Sequence, residues 1–203
     1  MTLDLFLALV GFAFVTSVTP GPNNMMLLAS GVNFGLRRTV PHMLGISVGF
    51  ALMAFLVGLG IAGIFHSLPI ALIALKIASV AYMLWLAWKI AHSAAPGEGR
   101  SRPNPMTFLQ AAGFQWVNPK AWAMALGAVA AYLPDPTPLG CLLVAVAFAT
   151  INLPSVAVWA AAGQGLRRWL QDPARLRAFN WTMAVLLVAS LWPVLRLEMP
   201  VGG

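Results

Sequence analysis

Two short stretches carry the polar chemistry of an otherwise apolar chain: "TPGPNN" at residues 19–24 and "FQWVNPKA" at residues 114–121. Each combines helix-breaking residues with side chains that hydrogen-bond. Proline removes a backbone donor and clashes with the preceding turn. Asn118 can cap a new helix that has Pro119 at its first position, and Thr19 or Gly21 can precede Pro22 in the same way. A helix started there presents unpaired N–H groups and the positive end of its dipole. With the Lys120 ammonium added, these are groups that hold an anion such as a carboxylate.

The elements around them are built for lipid. The chain has 203 residues, 60% hydrophobic and 8% charged, whereas soluble domains run at about 25% charged. Six apolar stretches lie at about 5–32, 41–63, 69–91, 107–132, 139–163 and 179–195, each near the ~20 residues of a bilayer span. The first is preceded by no basic segment and is longer than a signal-peptide core, so it reads as a retained span. The expected architecture is an all-α integral membrane protein with six transmembrane helices. Spans one and four are broken at their Pro motifs.

The net charge of +7 has a topological meaning. Arg37 and Arg38 follow span one. Lys89 lies at the end of span three, and Arg100 and Arg102 follow it. Arg167, Arg168, Arg175 and Arg177 follow span five. These are nine of the twelve basic residues. The second and fourth connections carry no Lys or Arg, and the fourth carries Asp135. The positive-inside rule then places the basic connections in the cytoplasm and both termini outside. No motif accompanies the charge that would indicate nucleic acid.

The halves resemble one another. With Pro20 set against Pro119, Thr16 faces Gln115, Val18 faces Val117 and Thr19 faces Asn118 without gaps. Each half holds an odd number of spans, so the second enters the membrane from the opposite side. The chain is thus expected to form one membrane domain (1–203) of two inverted three-helix repeats, at about 1–92 and 107–203, joined by a linker at about 93–106. Inverted repeats with interrupted spans place their binding site where the breaks meet.

Lys120 lies about thirteen residues from either end of span four, roughly 20 Å by helical rise, too far for its ammonium to snorkel to a headgroup. The acids Asp4, Glu98, Asp135, Asp172 and Glu198 all lie at span ends or in connections. Lys120 is therefore uncharged, paired with a bound anion, or held by carbonyls of the broken helices. Lys76 sits near the outer end of span three, where snorkelling and a site role explain it equally. Trp116 and Trp122 flank the second break and either wall a pocket or face lipid. The pairs Gly31/Gly35 and Gly45/Gly49 point to close packing inside the bundle rather than to a dimer contact. His42, His66, His92 and Cys141 show no metal-ligand spacing, and no cofactor is expected.

"TPGPNN", "GISVGF", "LKIASVAYML" and "FQWVNPKA", in this order over nearly the whole chain, resemble the LysE/RhtB family of amino-acid exporters. The resemblance implies a small multi-pass protein of the bacterial inner membrane that exports an amino acid or close derivative, driven by protons in antiport. It implies a central motif of Thr19, Pro20, Gly21, Pro22, Asn23, Asn118, Pro119 and Lys120, and matches Lys76 and Tyr82 in span three; the alignment of the halves adds Thr16 and Gln115, expected to turn inward at the breaks. Some members carry an Asp after the span-two glycines and others lack it; this chain reads Gly49-Phe50 there, which weakens the case for a cationic substrate. The partners implied are the amino acid, protons and the bilayer, with a homodimer as an open alternative to a monomer. Proton antiport needs a group that is protonated when substrate is absent, which Lys120 alone does not supply; Asp4 and His42 are the candidates. Other readings are an exporter of a metal ion or other solute on the same scaffold, or a structural or assembly subunit without transport. An enzyme is not expected, because no triad, carboxylate pair or HExxH motif lies within the spans.

Overall fold

The computed structural model describes residues 1–63, 68–93, 104–133 and 135–192. Among them, helices α1 (Leu3–Val18), α2 (Pro22–Phe34), α3 (Leu36–Gly58) and α4 (Pro69–Ala91) form the first half. Helices α5 (Phe108–Phe114), α6 (Pro119–Tyr132), α7 (Pro138–Leu166) and α8 (Pro173–Ala189) form the second, and no strand occurs. Most of the 93–106 linker, with Arg100 and Arg102, and His66 of the second connection lie outside the described residues.

Helix starts follow local sequence rules. Proline occupies the first turn of α2, α4, α6, α7 and α8, where its missing N–H leaves no bond unmade. Thr107 and Gln110 form a reciprocal capping box at α5. Asp172 caps α8, accepting from the N–H groups of Ala174 at 2.8 Å and Arg175 at 3.0 Å. This Asp-Pro start brings the last span forward to Pro173, ahead of the expected 179.

The first connection is also shorter than its sequence suggests. Rather than an eight-residue loop, Gly35 alone separates α2 from α3, with φ of 81°. Only glycine adopts that conformation without strain. Arg37 and Arg38 thus belong to the first turn of α3.

Helix α7 is the hub of the bundle: α1, α2 and α3 pack along it, α5 packs on α3, and α4 pairs with α8. Glycines permit the closest approaches. A Cβ on Gly31 would collide with the Ala160 backbone of α7. A Cβ on Gly45 would collide with Phe108 of α5, and one on Gly49 with Ala112 of the same helix. These glycines therefore serve packing inside the bundle, as the sequence indicates.

Large apolar side chains remain on the outside, among them Leu109 at 77% and Ile77 at 64% exposure. Helices Leu36–Gly58, Ile73–Ala91 and Pro138–Leu166 are long and apolar enough to cross a membrane, and the bent pair α1–α2 makes a fourth span if taken as one. An apolar surface facing lipid accounts for the exposure.

Candidate functional site

Both Pro motifs interrupt helical structure. Helix α1 ends at Val18 and α2 starts at Pro22, with a bend of 53° between them. Thr19, the residue before Pro20, is pushed out of helical geometry into φ −64°, ψ 145°. Gly21 is the N-cap of α2 and gives no side-chain cap. Its backbone is fully extended, so its small size rather than its conformational freedom is what the site uses.

In an apolar bundle every freed carbonyl requires a donor. The carbonyls from Thr16 to Pro20 all have one. Thr16 O accepts from the Thr19 hydroxyl at 3.1 Å. Asn24 Nδ2 donates to Ser17 O at 2.9 Å and Thr19 O at 2.7 Å. Trp159 Nε1 of α7 donates to Val18 O at 3.0 Å. Lys120 Nζ donates to Thr19 O at 2.8 Å, to the Thr19 hydroxyl at 3.0 Å and to Pro20 O at 3.4 Å.

The second break is shaped by Asn118. A 3-10 turn at Gln115–Val117 ends α5, and Asn118 then caps α6, its Oδ1 accepting from Lys120 N at 3.1 Å. Pro119 follows at the first helical position, as the sequence predicts.

The two breaks meet. Lys120 crosses from the second to the carbonyl end of the first, at the negative end of the α1 dipole. Of the alternatives left open by the sequence, the geometry gives the carbonyl partners. A Cβ on Gly21 would lie 2.6 Å from Lys120 Cδ, so only glycine leaves the lysine its path. Asn23 and Gln115 exchange two hydrogen bonds beside it. Below them Asn152 of α7 donates to Ser17 Oγ at 3.1 Å and accepts from Ser47 Oγ of α3 at 3.0 Å.

These groups surround a cavity of about 20 Å³, whose polar lining includes Thr16, Asn23, Asn24, Gln115, Asn118 and Lys120. That is space for about one water. Gly21 lines it as well. Thr19 and Pro20 do not; they are exposed, so Thr19 presents its carbonyl to the site rather than turning fully inward. Pro22 and Pro119 act on the backbone alone.

The remaining candidates lie elsewhere. Tyr82 packs against the rings of Trp85 and Phe114 at 5.3 and 5.6 Å. Lys76 is half-buried on α4 and does not line the cavity. Trp116 joins the core cluster, its carbonyl accepting from Trp122 Nε1 at 2.9 Å. Sequence reasoning passed over Ser17, Asn24, Ser47 and Asn152. Their signal was available: each is a hydrogen-bonding side chain inside a span, where such residues require partners.

The profile described as LysE type translocator matches residues 14–190. The cysteine/O-acetylserine efflux proteins of Escherichia coli strain K12 and Salmonella typhimurium strain LT2 are each 34% identical to this chain over 194 residues, covering 93% of it and 96% of the relative. That of Klebsiella pneumoniae is 32% identical over 190 residues, covering 93% and 95%. No solved structure matches the chain. With the profile spanning both breaks and every described helix in whole or part, the chain belongs to the LysE type translocator family.

Proposed function

We propose that this protein exports a small neutral amino acid or close derivative, of the cysteine or O-acetylserine kind, through the cavity between its two breaks. The observation that carries the reading is the meeting of those breaks: Lys120 of one bonded to the Thr19 and Pro20 carbonyls of the other. The relatives named for cysteine and O-acetylserine efflux support the choice of cargo.

The cavity chemistry suits a zwitterion. Lys120 and the free N-terminus of α2 receive the carboxylate. Side-chain oxygens of Thr16, Asn23 and Gln115 receive the ammonium. At about 20 Å³ the cavity is closed to such a molecule, so binding requires the breaks to part. Exchange of the Lys120 contacts from carbonyls to substrate carboxylate is the switch.

Six spans in two inverted repeats supply the motion. The packing pattern supports this: the broken span of each half lies on the second helix of the other half, α3 lies on α7 and α4 on α8. Exchanging the halves maps these pairings onto one another. The basic ends Arg37, Arg38, Lys89, Arg167 and Arg168 favour a cytoplasmic placement of that end, with both termini outside. Export is coupled to proton entry. Proteoliposomes containing the purified protein, offered a panel of amino acids under an imposed pH gradient, test the reading. Gradient-dependent movement of cysteine or O-acetylserine is the expected result, and no movement of any amino acid refutes it.

A further inference from the structure

A second polar cavity lies at the other end of α2. It has a volume of about 60 Å³ and sits between the C-terminal half of α2, the start of α3, the end of α4 and the segment Asn104–Met106. Ser30, Asn33, His42, Lys89, Ser93 and Asn104 supply its polar lining. Asn23 and Asn33 are ten positions apart on α2, about 15 Å by helical rise. The two cavities therefore flank one half-helix.

Among the described residues, three buried polar atoms of this lining have no hydrogen-bond partner: His42 Nδ1, His42 Nε2 and Asn33 Oδ1. His42 is only 2% exposed. The amide of Asn33 is oriented by its nitrogen, which donates to Ala29 O at 2.8 Å and to Asn180 Oδ1 at 3.3 Å. Its oxygen is thus an acceptor in need of a donor. Unpaired buried groups are rare and call for a partner, such as a water, an ion or a ligand.

The charges nearby are cationic. Lys89 lines the cavity and lies over the Trp85 ring at 5.2 Å. Arg38, one turn before His42, donates to Asn104 Oδ1 at 2.9 Å. A zwitterion fits. Its carboxylate pairs with Lys89 and a ring N–H of His42, and its ammonium with Asn33 Oδ1 at the negative end of the α2 dipole.

We infer that this cavity is a second binding site for an amino acid, filled on the path between the basic end of the molecule and the central cavity. The inference rests on the reading that the cargo is an amino acid.

Equilibrium dialysis of the purified protein with radiolabelled L-cysteine under reducing conditions, with histidine ring NMR signals followed in parallel, tests it. Wild type is expected to bind two equivalents per chain. The His42 signal, identified by its loss in His42→Gln, is expected to move as ligand is added. His42→Leu and Asn33→Leu each lose one equivalent. Lys120→Met loses the other and still moves the His42 signal. A single equivalent that Lys120→Met removes, with the wild-type His42 signal unmoved, overturns the second site and leaves the transport reading standing. Absence of binding by cysteine and by the wider amino-acid panel overturns both.

Discussion

Asn23 and Gln115 hold each other across 92 residues: Asn23 Nδ2 donates to Gln115 Oε1 at 2.9 Å, and Gln115 Nε2 donates to Asn23 Oδ1 at 3.2 Å. Gln115 is fully buried and also donates to Ala111 O at 2.9 Å. The pair ties the start of α2 to the 3-10 turn of the second break. In the transport reading it is a latch that closes the central cavity.

The first prediction follows from this reciprocity. Asn23→Leu leaves the buried Gln115 with only its bond to Ala111 O, and Gln115→Leu leaves the half-buried Asn23 amide without its partner, each at a cost of about 1–3 kcal/mol. The double variant is expected to lose less than the sum, because neither orphan remains. Thermal unfolding of the four proteins of this cycle in detergent measures the coupling. Strict additivity would show that the two amides do not stabilise one another.

The second concerns Gly21. Its missing Cβ leaves room for Lys120 Cδ, so Gly21→Val drives the lysine from the Thr19 and Pro20 carbonyls. The clash costs roughly 1–3 kcal/mol, small enough to leave membrane insertion intact. Transport in proteoliposomes is expected to be abolished. Normal transport by this variant would remove the Lys120 contact from the mechanism.

Much of this arrangement is legible in the sequence because proline and glycine act locally. Pro22, Pro119 and Asn118 fix the breaks wherever the rest of the chain lies, and span three matches Pro69–Ala91 without adjustment. What a span-by-span reading misses is the partner of each polar group. Nothing near Lys120 in sequence points to Thr19 O, because that bond spans 101 residues. The Ser17–Asn152–Ser47 chain is hidden for the same reason, drawing on three separate helices. The length of the first connection was overestimated because arginines read as loop residues, whereas Gly35 turns the chain within one residue.

The third prediction tests orientation. Cys141 is fully buried, so Cys141→Ala gives a background without reactive thiols. In intact cells an impermeant thiol reagent is expected to label Asp135→Cys and to spare Arg168→Cys until the membrane is permeabilised. Protection of Asp135→Cys from the external reagent would remove the topology and the inverted repeat together.

The fourth concerns pH. The backbone N–H groups of Arg175 and Ala174 hold the Asp172 carboxyl below its ordinary value, and the charges of Arg175 and Arg177 assist. Because the folded-state value is the lower one, the stabilisation is present above the ordinary carboxylate range and is lost as pH falls through the folded value. Amide hydrogen exchange in the first turn of α8 is therefore expected to accelerate on acidification beyond the intrinsic trend. Asp172→Asn, which keeps a cap but does not titrate, should remove that acceleration. An unchanged pH response in Asp172→Asn would assign it to another group.

The last prediction returns to Lys120. Its ammonium already has three oxygen acceptors, the Thr19 carbonyl and hydroxyl and the Pro20 carbonyl. Its burial is thus explained without substrate, and stability alone says nothing of a carboxylate. Discrimination does. If Lys120 exchanges these acceptors for a substrate carboxylate, Lys120→Met should weaken amino-acid binding by about 1.5–3 kcal/mol, the range for a hydrogen bond to a charged group. Binding of the uncharged amide analogue should change far less. Lys120→Arg should restore only part of the preference, since a planar guanidinium cannot follow the lysine path past Gly21. Thr19→Val removes one acceptor and leaves both carbonyls, so it separates loss of lysine placement from loss of its charge. Equal preference for amino acid over amide in wild type and Lys120→Met would leave Lys120 as a clasp between the two breaks, with the carboxylate received by the start of α2 alone.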